Sequence, residues 1–211
     1  MNAPTPLWQP SAQRIENAGI TRFQRWLAQE RGLRFDDYEA LWRWSVDDLE
    51  GFWGAMWAFS GMRAHSPHTR VLAEREMPHA RWFPGATLNF AEHMLAHARR
   101  PDAHQRLALV FQSELRERTE ITWAQLAGTT GALTEALAGL GVRTGDRVVG
   151  YLPNIPEAGA SLLAVTSLGA IWSSSSPDMG PVSVLDRFKQ IEPKVLIAVD
   201  GYRYGGKDFD R

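Results

Sequence analysis

Near the end of the chain, the segment Asp200 to Lys207 (DGYRYGGK) sets Arg203 and Lys207 on either side of Gly205 and Gly206. Glycine lets the backbone approach a ligand closely, and a neighbouring Lys or Arg supplies charge to a phosphate. Lys holds such a group more loosely than Arg, because it lacks the bidentate fork. Arg203 and Lys207 are therefore candidates for direct contact with a phosphate-bearing ligand. The same residues also read as a solvated polar loop.

Three other constellations invite a chemical reading and lose it on inspection. Ser173 to Ser176 has no GxSxG elbow around it and no His and Asp arrangement nearby, so nucleophilic catalysis is not expected. Four serines before Pro177 suit a turn and the cap of the next helix, and a loop at the carboxyl end of a parallel strand can still border a ligand crevice. His93 and His97 stand four apart on one predicted helical face, but in the order Glu-His-x-x-x-His and without a third ligand, so no metal site is expected. The run Ala127 to Thr134 (AGTTGALT) resembles a phosphate loop in composition. It lies inside a stretch of helical period, where its amides are already hydrogen-bonded and cannot cradle a phosphate.

The elements that would position such residues differ along the chain. Seven of the nine tryptophans fall in the first 82 residues, at Trp8, Trp26, Trp42, Trp44, Trp53, Trp57 and Trp82. That region reads as helical: Ser11 to Glu30, a short piece from Asp36 to Trp44, and a helix to Phe59 opened by Ser45 with Asp48 three residues on. Its aromatics read as packing, since nucleic-acid stacking would want an excess of interleaved Lys and Arg. Short strands are predicted at Val71 to Glu76, and at Leu107 to Glu114 and Arg118 to Trp123, the latter two joined by a tight polar turn. A helix at Asn89 to Arg100 lies between them. Thr122 is placed to cap a helix with apolar positions Leu126, Thr130, Leu133, Leu137 and Leu140, ended by Gly139 and Gly141. Strands at Arg147 to Leu152, Ala170 to Ser173 and Val195 to Val199 then alternate with helices at Pro156 to Leu168 and Pro181 to Ile191. This is βαβαβ, and runs such as VVGYL and VLIAV suit parallel strands covered on both faces. The last residues, Asp200 to Arg211, show no closing element, so the sheet reads as unfinished.

Composition narrows the classes. The 211 residues are 44% hydrophobic and 22% charged, with 23 basic against 24 acidic side chains. That is a folded globular chain with no electrostatic footprint for nucleic acid or anionic lipid. The lack of cysteine removes disulfides, thiolate metal sites and thiol nucleophiles. No signal-peptide pattern opens the chain and no apolar stretch has membrane-spanning length, so a cytoplasmic location is expected. A nucleotide-binding Rossmann protein is disfavoured because no GxGxxG follows a strand.

Several segments together carry a family likeness. EITWAQL at 120–126 and GDRVVGYLPNIP at 145–156, followed by Glu157, Ala158 and Leu168-Gly169-Ala170, resemble the opening motifs of adenylate-forming enzymes. The Trp-rich leader, WFPGATLNFAEHML at 82–95 and IWSSSSPDMG at 171–180 resemble the acetoacetyl-CoA synthetase branch. The resemblance implies an α/β fold: a helical Trp-rich N-terminal cap, a β-hairpin, and the first βαβαβ part of the mostly parallel sheet of the adenylate-forming fold, left incomplete. It implies a cap region over 1–100 and the beginning of the AMP-binding domain over 101–211.

For function, it implies ATP- and Mg²⁺-dependent activation of acetoacetate to an acyl-adenylate, then transfer to coenzyme A, with positioning and electrostatics dominating the chemistry. The Ser/Thr/Gly-rich loop ending in Pro-Lys, the acidic metal ligand, the ribose Asp and the distal Lys of such enzymes are not found in this chain, where Ala132 and Leu133 stand after the Gly-Thr-Thr-Gly run. The chain is thus expected to be an inactive N-terminal fragment with no catalytic residue and no metal ligand of its own. In acetyl-CoA synthetases a corresponding loop bearing two Arg holds the phosphate end of coenzyme A. Lys207 matches the second position, Tyr204 occupies the first, and Arg203 is one residue out of register. A homodimer is compatible with this reading, and neither nucleic acid nor membrane is a partner. The alternatives are another short-chain acyl-CoA synthetase of acetyl or propionyl type, or a truncated, non-catalytic binding module.

Overall fold

The computed structural model describes residues 7–210. They form two compact units that divide between Leu88 and Asn89.

In the first unit, Ser11 accepts from the Arg14 amide and opens helix α1, Ala12–Glu16. The expected single helix to Glu30 is interrupted. Asn17 closes α1, Ala18 turns to an extended conformation with ψ 144°, and α2 restarts at Gly19–Trp26 before a wider turn at Leu27–Arg31. Gly32 ends it at φ +68°, a left-handed position that glycine takes without strain. Asp37 caps α3 (Tyr38–Asp47), and Asp48, not Ser45, caps α4 (Leu49–Phe59), accepting from the Gly51 amide at 2.9 Å. Ser45 sits inside α3 with its hydroxyl donating to the Trp42 carbonyl, so the cap falls to the carboxylate that follows. Phe23, Leu27, Leu41 and Ala55 form the core, with Trp26, Phe35, Trp44, Phe52, Met56 and Phe59 packed around them. Strand β1 (Leu72–Glu74) pairs antiparallel with β2 (Arg81–Trp82).

The second unit opens with α5, Phe90–Leu95, capped by Asn89. Strands β3 (Leu107–Phe111) and β4 (Thr119–Thr122) pair antiparallel, but the connection between them is longer than the expected tight turn. It runs over 112–118, where the Ser113 hydroxyl accepts from the Leu115 and Arg116 amides and shortens both strands. Thr122 and Gln125 then form a reciprocal capping box on α6, Trp123–Gly139. Leu126, Thr130 and Leu137 are buried, whereas Leu140 lies beyond the last turn and is exposed. The Thr130 hydroxyl is 1% exposed by residue and has no hydrogen-bond partner among the described residues. Thr130→Val removes that orphaned group at nearly constant shape, so urea denaturation should show about 1 kcal/mol of stabilisation.

Strand β5 (Arg147–Tyr151) lies between β6 (Ile171–Ser175) and β7 (Val195–Ala198), parallel to both. Helix α7 (Pro156–Ser167) links β5 to β6, and α8 (Pro181–Ile191) links β6 to β7. Both helices begin with Pro, whose missing N–H costs nothing in a first turn. The side chain of Arg147 donates to the Ile191 and Glu192 carbonyls at 2.6 and 2.9 Å, taking up acceptors that the end of α8 leaves free. The serine run corrects the expectation: Ser173 to Ser175 belong to β6, and Gly180, with no side-chain cap, precedes α8. Asp200 to Asp210 is not an open tail but a hairpin, β8 (Gly201–Tyr204) against β9 (Lys207–Asp210).

Candidate functional site

The carboxyl ends of β5, β6 and β7 face one side of the sheet, as parallel strands must. The residues that leave them there are Pro153 and Asn154, Ser176 to Asp178, and Val199. The loop after β3 (Phe111 to Arg116) and the hairpin strand β8 supply the other walls of a cavity of about 630 Å³. Open α/β sheets bind ligands at this edge. Its floor is fixed by Tyr151, whose hydroxyl lies 2.8 Å from the Met179 carbonyl and 3.1 Å from that of Pro177, holding the turn after β6. Arg116 reaches Glu157 in the first turn of α7 at 2.7 Å and ties the β3–β4 connection to the sheet layer.

The hairpin wall follows from its turn. Gly205 and Gly206 have φ of +59° and +73°, the left-handed pair that matches a two-residue turn to the twist of its strands. Gly201 is needed for another reason: a Cβ there would stand 2.7 Å from the Phe209 carbonyl oxygen across the ladder. Tyr202 faces Phe209, with ring centroids 5.1 Å apart, and Arg203 faces Asp208.

The Arg203 side chain donates twice to the Asp208 carboxylate, at 2.7 and 2.8 Å. That pair holds the Asp208 carboxyl below its ordinary value and raises Arg203, which also feels the charge of Glu114. Both groups are charged at neutral pH. The fork is lost only in acid, as the pH falls through the depressed carboxyl value. The amides of Gly205 and Gly206 donate to the two carboxylate oxygens of Glu114, each at 2.8 Å.

The three residues singled out from sequence thus share one hairpin but not one face. Tyr204 and Lys207 are a facing pair, and alternation along the strands puts Arg203 and Asp208 on the opposite side. Tyr204 is 74% exposed, and Lys207 has no ion-pair partner among the described residues. His93 shares a hydrogen bond at 3.0 Å between its ring and the Asn89 carbonyl, while the His97 ring lies on Trp123 at 4.9 Å. The Gly-Thr-Thr-Gly run lies within α6. Sequence reasoning missed the hairpin, although Gly-Gly between YRY and KDFD is a hairpin signal. It also missed Glu114, whose partners are 91 and 92 residues away, a separation no local pattern reveals.

Comparison with known proteins agrees in both units. Residues 38–94 match the family described as acetyl-coenzyme A synthetase N-terminus, and residues 96–209 match AMP-binding enzymes. An acetoacetyl-coenzyme A synthetase of Rhizobium meliloti (strain 1021) is 40% identical over 210 residues, covering 100% of this chain and 32% of that protein. A malonamoyl-CoA synthetase of Penicillium aethiopicum is 33% identical over 205 residues, covering 95% of this chain and 28% of its own length. Among solved structures, acetoacetyl-CoA synthetase from Streptomyces lividans superposes with a TM-score of 0.89 at 53% identity, covering 99% of this chain and 32% of that one. The chain therefore spans about a third of the length of the relatives it matches. With the AMP-binding match extending over more than half of its residues, the chain belongs to the family of AMP-binding enzymes.

Proposed function

We propose that these residues serve as the amino-terminal third of an ATP-dependent acetoacetate–CoA ligase. The observation that carries this is the superposition of 99% of the chain on an acetoacetyl-CoA synthetase at 53% identity. ATP with Mg²⁺ would activate the acetoacetate carboxylate, and coenzyme A would accept the acyl group. Such chemistry depends on donors placed where charge develops.

This chain's contribution is the strand-end cavity and its hairpin wall. Of the candidate residues, Arg203 and Tyr204 line the cavity, and Lys207, without an ion-pair partner among the described residues, supplies a cation on the Tyr204 face suited to the phosphate end of coenzyme A. Arg203 braces the hairpin through Asp208, and would contact phosphate only by giving up that fork. The turn fits an oxyanion, since its two amides already hold one, the Glu114 carboxylate. The reading carries with it a cytoplasmic, homodimeric enzyme without nucleic-acid or membrane partners. Among the described residues, no helix is long and apolar enough to cross a membrane.

The acyl pocket of such enzymes lies outside these residues, so the reading is tested on the ligation itself rather than on the choice of acid. Grafting residues 1–211 in place of the matching third of the Streptomyces lividans enzyme permits the test. The graft should ligate acetoacetate with kcat/KM within about tenfold of the parent, a barrier difference of about 1.4 kcal/mol. A folded graft that is inactive would count against this reading.

A further inference from the structure

The Gly205–Gly206 turn presents two N–H donors side by side, and both are engaged by a single carboxylate from the β3–β4 connection. The arrangement is built on the backbone, because two left-handed residues aim successive amides at one point. Nothing crowds it: a Cβ on either glycine would meet no atom within 4 Å. The contact joins the two segments, the β3–β4 connection and the hairpin, whose neighbouring residues line the cavity. Glu114 therefore does two things at once. It ties the β3–β4 connection to the hairpin, and it fills the oxyanion position of the turn with a negative charge.

A ligand phosphate approaching the turn meets that charge, and reaches the turn amides only if the carboxylate leaves. We propose that Glu114 is a displaceable carboxylate latch that occupies the oxyanion position of the Gly205–Gly206 turn and sets the affinity of the hairpin for a phosphate monoester. The inference rests on the reading of the hairpin as the contact for the coenzyme A phosphate. Arg203 feels the charge of Glu114, but its fork is held by Asp208 and is not free to take the phosphate. When the phosphate takes the turn amides, the 112–118 connection loses its tie to the hairpin but keeps Arg116 on Glu157.

The test compares coenzyme A with 3′-dephospho-coenzyme A as acyl acceptors in the grafted ligase. Glu114→Gln retains one acceptor oxygen for the turn and removes the charge. It should lower the KM for coenzyme A about three- to tenfold, and leave the KM for the dephospho form unchanged. Glu114 is exposed, so the variant should fold, and an unchanged melting curve checks this. A KM for coenzyme A that stays the same or rises overturns the latch, as does an equal drop for both acceptors. Lys207→Met examines the underlying reading separately. It should erase the preference for coenzyme A over its dephospho form, and a preserved preference would remove the phosphate from Lys207 whatever Glu114→Gln does.

Discussion

Leu137→Ala should lower the unfolding free energy of the sheet-bearing unit by about 3 kcal/mol in urea denaturation followed by far-ultraviolet circular dichroism. Leu137 is 2% exposed, on the face of α6 that packs against Val142, Val148, Ala164, Val165 and Ala170. Those residues come from β5, from α7 and from the connections beside them, so the space left by the lost methyls is walled by several elements that cannot all collapse into it. The cost is then the transfer of the removed carbons plus a cavity term. Leu140→Ala, three residues on but 64% exposed, should change stability by less than about 0.5 kcal/mol. Similar losses from the two substitutions would mean that α6 is rotated from the orientation described here.

Asn89→Ala should cost about 2 kcal/mol, because one side chain performs two tasks. Its Oδ1 accepts from the Glu92 amide at 3.1 Å and caps α5, while its Nδ2 donates to the Thr166 carbonyl at 2.8 Å at the end of α7. The bond bridges 77 residues of sequence and joins α5 to the layer built by α7. Asn89→Ser separates the tasks. Serine still caps a helix but cannot reach α7, so it should recover about half of the loss, measured in the same denaturation experiment. Equal losses for Ala and Ser would assign the whole effect to the tie with α7.

The order of elements was legible where local chemistry decides it. Thr122 announced the start of α6, Gly139 and Gly141 its end, and the apolar runs around Val148 and Val195 the parallel strands. Errors arose where a non-local or competing interaction chose between local options. Ser45 and Asp48 both look like caps. The carboxylate wins, since it accepts from Gly51 and also receives the Trp44 indole N–H at 3.2 Å. Ser174 and Ser175 were read as turn residues from their type, but pairing with Gly150 and Tyr151 of β5 draws them into the sheet.

The candidate site was legible only in part. Arg203, Tyr204 and Lys207 stood out by type and by their glycines. The alternation that parts Arg203 from the other two could be seen only once the segment was a hairpin. The engagement of Arg203 by Asp208 followed from the same register, with the two residues directly opposed. Glu114 and Arg116 were silent in sequence, because their roles depend on a loop conformation set by the Ser113 hydroxyl.

The most direct test of the account is coenzyme A-dependent release of AMP from ATP and acetoacetate by the grafted ligase, measured beside the parent enzyme and beside residues 1–211 alone. The graft should turn over at a rate close to the parent's, and the 211 residues alone should release no AMP. Release of AMP by the 211 residues would place the catalytic machinery within this chain. A well-folded graft that released none would contradict its assignment as the amino-terminal third of such a ligase.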